Sequence, residues 1–160
     1  MPALAPISLL TCCAFYNESI PCISTNITED LQKFFVEKMI QGNVLYEITD
    51  QPLHQPNLHV DEVLENIKMP IKIGQGGFIG IIDLPQFKQV VKDKFHDKET
   101  MCAIMITPPD KSYAICKTNG KIIVFESHHH YTRGALIAFT DANNSDDICE
   151  YINEMIVNDW

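Results

Sequence analysis

Apolar runs separated by very short connections dominate the second half of the chain, at residues 101–107, 111–117 and 121–126. Asn119-Gly120 lies between the last two runs, and an Asn-Gly pair between apolar segments is the strongest short-range signal for a β-hairpin turn. Strands joined by connections this short can only pair antiparallel. A fourth run at 134–140 extends the pattern. The sequence therefore predicts an antiparallel sheet in this half of the chain.

Helical patterns flank the predicted strands. Residues 5–17 are apolar on all sides and place Pro6 in the first turn, which is typical of a buried central helix. Thr28, followed by two acids, is expected to cap a second helix that ends at Gly42. Further helices are predicted at 60–67, 84–95 and 145–157, and further strands at 69–73 and 78–82. We expect an α+β fold in which N-terminal helices precede the sheet and a C-terminal helix closes a single domain over residues 1–160.

Composition limits the possible partners. The net charge of −9 argues against nucleic acid, because binding a phosphate backbone depends on clustered Lys and Arg. The apolar N-terminal stretch is too short to span a bilayer and lacks the basic region of a signal peptide, so we expect no membrane partner. The chain has six Cys and no Cys-x-x-Cys pair. That usage favours free thiols and an intracellular location, cytoplasmic or nuclear.

Glu126 and His128 are the candidate catalytic pair. Side chains at i and i+2 of a strand share a face, so these two continue the row formed by Ile122 and Val124. An imidazole next to the carboxylate that orients it is the base half of a nucleophilic triad. A solvated strand end is the alternative interpretation.

Two other motifs, a run of three histidines and a glycine-rich segment, are not expected to bind a metal ion or a phosphate. Adjacent strand residues alternate between faces, so His128-His129-His130 is not expected to converge on a metal ion. Gly74-Gln75-Gly76-Gly77 is not followed by the strand-to-helix transition or the Lys-Ser/Thr of a phosphate loop, and it is predicted to be a turn. We therefore expect no metal and no cofactor.

The stretch Gly120 to His128, followed by Gly134-Ala135-Leu136 and a helix that starts at Ser145, resembles the C-terminal half of the viral tegument-type deubiquitinases. This family of papain-like cysteine isopeptidases has relatives in mobile elements and animals. One of its strands carries an acid-x-His pair, commonly Asp-Ser-His, and Glu126-Ser127-His128 matches that pair with one conservative change. The resemblance implies a papain-like fold and cleavage after the C-terminal Gly of ubiquitin or a ubiquitin-like protein.

The resemblance also implies a Cys nucleophile at the start of the buried helix, where the helix terminus lowers the thiol pKa. That position falls on Ala3 or Leu4, and neither is a thiol. The chain as it stands is therefore predicted to be inactive, either because the enzyme is natively degenerate or because the sequence is truncated or carries a replaced nucleophile. Cys13 and Cys12 are the fallback thiols, although their place in the second half of the helix is more typical of packed core residues. Cys22 is a weaker substitute.

The other function considered is non-catalytic. A module on the same fold would bind ubiquitin or another protein without cleaving it, and an unrelated binding domain with an accidental Glu-Ser-His is the third possibility. For a ubiquitin tail, Gly74, Gln75, Gly76 and Gly77 are expected to flank the groove, since a Cβ would block a Gly-Gly backbone. The sequence leaves the oligomeric state open.

Overall fold

The computed structural model describes residues 4–17, 26–53, 83–107, 111–128 and 134–158. The helices are α1 (Leu4–Asn17), α2 (Glu29–Leu53), α3 (Leu84–Phe95) and α4 (Ser145–Asn158). The strands are β1 (Met101–Thr107), β2 (Lys111–Thr118), β3 (Lys121–Glu126) and β4 (Leu136–Asp141), with a 3-10 turn at Ala142–Asn144 before α4. The predicted α+β class is confirmed. The elements predicted at 60–67, 69–73 and 78–82, and the segment Gly74 to Gly77, lie outside the described residues.

The four strands form one antiparallel sheet in the order β1-β2-β3-β4. At the β2–β3 turn, Asn119 has a φ of 50° and Gly120 a φ of 72°. Positive φ at both central residues matches the right-handed twist of the flanking strands, which is why Asn-Gly is favoured there. The hairpin prediction is confirmed.

Helices cover both faces of the sheet. On the first face, α1 and α2 pack on Ala114, Cys116, Ile123 and Phe125, and we call this the first core. On the second face, α3 and α4 pack on alternate residues of the same strands, including Tyr113, Ile122 and Val124, and form the second core. Because both faces are buried, β2 and β3 are almost continuously hydrophobic instead of alternating with polar residues.

Helix α1 lies against β2 in the first core. Ser8 Oγ is 3.0 Å from Ser112 Oγ, and one turn further on Cys12 Sγ lies 3.8 Å from the carbonyl oxygen of Ala103. Residues 6–9, 11 and 12 are all buried. The apolar residues around this helix are explained by its position between α2 and the sheet, and the prediction of a buried central helix is confirmed.

Helix α2 does not end at Gly42 as predicted but continues to Leu53. The glycine is required by packing instead. A Cβ at Gly42 would lie 2.3 Å from Ile7 Cγ1 and 2.9 Å from Ile7 Cα, so the backbones of α1 and α2 approach each other closely at this point. The start of α2 is as predicted, because Thr28 Oγ1 accepts a hydrogen bond from Leu31 N at 3.2 Å.

Helices α3 and α4 run antiparallel on the second face. Lys92 pairs with Asp146 at 2.9 Å, and Lys88 pairs with Glu150 one turn away. Part of the acidic C-terminal segment is therefore neutralised by α3. None of the helices in the described ranges combines the length and apolar character needed to cross a membrane.

Candidate active site

The end of β3 holds a buried carboxylate. Glu126 is 0% exposed and lies opposite Tyr113 of β2 and Leu136 of β4. It shares its face with Ile122 and Val124, so its side chain points into the second core. A carboxylate is rarely removed from water unless polar partners stabilise it.

His128 is one such partner. Its backbone N–H donates to Glu126 Oε1 at 3.0 Å, and its ring Nδ1 contacts the same oxygen. The chain leaves the strand after Glu126, which allows the ring to turn back onto the carboxylate. The His128 side chain is 18% exposed. The predicted pairing of Glu126 and His128 is present, and it leaves Nε2 as the ring nitrogen that Glu126 does not engage. A catalytic role stays a prediction.

Ser127, between these two residues, belongs to the opposite face. The register ends with Tyr113 opposite Glu126, so Ser127 follows the last paired residue of β3, and Ser112, which precedes Tyr113, contacts Ser8 of α1. Ser127 is 8% exposed, and its Oγ has no hydrogen-bond partner among the described residues. Buried hydroxyls are normally satisfied, so this one is a candidate contact for a ligand.

The start of α1 lies near the same end of the sheet as His128 but on the other face. Ser8, in the first half of α1, contacts Ser112 at that end of the sheet. The Glu126 side chain points to the other face, away from α1. Leu4 begins α1, and Ala3 lies outside the described residues. A nucleophile at either position would have to reach His128 around the end of the sheet. The nucleophile slot therefore stays a prediction, and this geometry does not favour it.

The fallback thiols are poorly placed. Cys12 lies beside Cys116. Cys116 is four residues along β2 from Ser112, so it lies about 13 Å from the end of the sheet where His128 is found. A hydrogen bond with Cys102 raises the pKa of Cys12 well above its ordinary value. Burial raises the pKa of Cys13 to about 11. Both thiols are protonated near pH 7 and are poor nucleophiles. Cys22 lies outside the described residues.

Cys102 and Cys116 are two of the six cysteines for which the sequence predicts free thiols, and the sheet pairs them directly across β1 and β2. The sequence contains a signal for this pairing. The two residues are equally distant from the 108–110 connection, and a tight hairpin brings such residues opposite each other.

Searches of protein families, curated proteins and solved structures find no match to this chain. The resemblance to tegument-type deubiquitinases therefore depends on the motif alone.

Proposed function

We propose that this domain binds the C-terminal tail of ubiquitin or a ubiquitin-like protein at the end of β3 and does not cleave it. The proposal depends chiefly on the contact between Glu126 and His128. A fully buried carboxylate that orients a partly exposed imidazole is the arrangement implied by the resemblance to deubiquitinases of papain-like fold. Such a partner implies an intracellular location, cytoplasmic or nuclear.

The positions of the thiols support binding without cleavage. Isopeptide hydrolysis by this route needs a thiolate within hydrogen-bond reach of the imidazole. Residues 4–6 contain no thiol, and Cys12 and Cys13 lie in the part of α1 that packs along β2. Their raised pKa values keep the reactive form scarce at neutral pH.

Polar groups at the strand end support a peptide as the ligand. The His128 side chain is partly exposed, and the buried Ser127 Oγ has no partner within the described chain. An extended tail offers a donor and an acceptor at each residue, which is what an imidazole and a hydroxyl can bind. The net charge of −9 would favour the approach of a basic tail.

Titration of the isotopically labelled full chain with ubiquitin, followed by NMR, tests the binding. We expect shifts at residues 126–128 and weaker shifts with ubiquitin that lacks its last two glycines. His128→Ala should weaken binding at least about tenfold, which corresponds to ~1.4 kcal/mol. His96→Ala is the matched control, because His96 also contacts a carboxylate, Asp97, but both side chains are exposed. Absence of shifts at 126–128 in a folded chain would contradict the proposal.

A ubiquitin probe with an electrophilic C-terminus tests the second half of the proposal. We expect no covalent adduct after prolonged incubation at neutral pH. An adduct that disappears when one Cys is replaced by Ser would instead identify a nucleophile and make the domain an active isopeptidase.

A further inference from the structure

Three thiols from three different elements converge in the first core. They are Cys12 of α1, Cys102 of β1 and Cys116 of β2, and their Sγ atoms all lie within 4.8 Å of one another. Cys102 and Cys116 are direct cross-strand partners, and α1 places Cys12 over them. The cluster is therefore determined by the strand register and by the packing of α1 on the sheet.

The surroundings of the cluster are dry. Cys116 is 1% exposed and Cys12 is 9% exposed, whereas Cys102 lies nearer the surface. The neighbouring side chains of the first core are apolar, including Phe15 and Ile123. Water competes poorly for a ligand at such a site, and the less buried Cys102 offers a path of entry.

The three thiols also interact with one another. Hydrogen bonds from Cys116 and Cys12 lower the pKa of Cys102, while burial raises the pKa of Cys116. Thiolate is the form of cysteine that binds metals, and the closeness of the three sulfurs allows one ion to contact all of them.

We propose that Cys12, Cys102 and Cys116 bind one Cu(I) ion through their three Sγ atoms. Binding forms three Cu–S bonds and releases the three thiol protons to solvent, with no change of oxidation state. Thiolates are the soft ligands that select Cu(I) or Zn(II). With metal–sulfur bonds of about 2.3 Å, a three-coordinate ion requires sulfurs about 4 Å apart, which this cluster provides with little movement.

The number of ligands distinguishes Cu(I) from Zn(II). Protein zinc sites are almost always four-coordinate. Within the described part of the chain, no His, carboxylate or further Cys joins the three sulfurs as a fourth ligand. A site with three sulfurs in an apolar pocket therefore favours Cu(I). This inference is independent of the proposed binding of ubiquitin.

Titration of the reduced full chain with Cu(I) under anaerobic conditions, against a competing chelator, tests the site. We expect one ion per chain, with ultraviolet absorption from thiolate-to-copper charge transfer. Cys102→Ser is the least disruptive variant because this thiol is the least buried of the three, and it should weaken Cu(I) binding at least tenfold. Cys149→Ser is the control, because Cys149 is buried in the second core on the other face of the sheet. It should leave the affinity unchanged.

X-ray absorption on the wild-type complex keeps the test independent of variants that fail to fold. Three sulfur neighbours at a single Cu–S distance would support the site. Cu(I) binding that survives Cys102→Ser, a coordination shell with nitrogen or oxygen, or tighter binding of Zn(II) than of Cu(I) would overturn it. Absence of binding to the reduced chain would leave the cluster as packed core thiols.

Discussion

Glu126 shows how strongly one residue can depend on its neighbours. A carboxyl group at 0% exposure loses its hydration, so its burial is costly unless other groups of the protein replace the water. The backbone N–H of His128 donates a hydrogen bond to that carboxylate, and the ring lies against the same oxygen as the chain leaves β3. The same contact that defines the candidate site therefore also holds the end of the central strand.

Replacement of Glu126 by Ala should lower the free energy of unfolding by about 3 kcal/mol, because it removes the acceptor for the His128 N–H and leaves a cavity. Urea unfolding of the variant and the wild type measures the difference. Asp97→Ala is the control, since Asp97 contacts His96 in solvent and its replacement should leave stability nearly unchanged. Equal effects of the two substitutions would show that burial of Glu126 contributes nothing.

At the scale of elements, the contact between α1 and α2 depends on the absence of a side chain. Gly42 allows the backbone of α2 to reach Ile7, which is 2% exposed in the first core. This approach brings Phe34 and Phe35 of α2 into an aromatic group with Phe15, and Phe35 stacks on Phe125 of β3 with ring centroids 4.4 Å apart. The two helices thus meet at a contact that has no room for a Cβ unless Ile7 shifts.

Gly42→Ala should destabilise the protein by about 2 kcal/mol, although Ala favours a helix by roughly 1 kcal/mol over Gly at an unconstrained position. The reason is that the new Cβ would overlap Ile7, including its backbone. Thermal or urea unfolding gives the value, and Asn43→Ala at an exposed position of α2 should be nearly neutral. Adding Ile7→Ala to Gly42→Ala should cost less than the sum of the two single changes, because it removes Cγ1 from the overlap. Stabilisation by Gly42→Ala alone would contradict the close approach.

At the scale of the whole molecule, Lys117 connects the sheet to α3, one of the two helices on its second face. Its Nζ, from β2, donates to the carbonyl oxygens of Phe95 at 2.6 Å and His96 at 3.1 Å. These carbonyls end α3 and have no partner within the helix, so a cation there satisfies them and complements the helix dipole. The C-terminal end of α3 is thus stabilised by a lysine from a strand that follows the helix in the sequence.

Lys117→Met should reduce the free energy of unfolding by about 1.5 kcal/mol, because Met keeps the aliphatic stem but loses a charged donor to two carbonyls. Lys94→Met, in the same last turn of α3 but exposed, is the control and should fall within about 0.5 kcal/mol of wild type. Hydrogen exchange should also show faster opening at the C-terminal end of α3 in Lys117→Met alone. Unchanged exchange there would mean that Lys117 does not hold the helix end.

The elements of the described chain could be predicted from the sequence where a local signal was strong. The Asn119-Gly120 turn, the Thr28 cap and the apolar runs of the sheet depend on neighbouring residues only, and the structure agrees with each. The nearness of Glu126 and His128 could also be predicted, since both belong to one short segment, although β3 ends at Glu126 and the contact is made as the chain leaves the strand.

Tertiary structure decided the features that join distant segments. Gly42 carries the usual signal for a helix end, but α2 continues through it because contact with Ile7 outweighs the intrinsic preference. The side of the sheet that α1 covers, opposite the side chain of Glu126, and the meeting of Cys12 with Cys102 and Cys116 have no local signature. Periodicity specifies that a face is apolar, but which element buries that face depends on packing across the whole molecule.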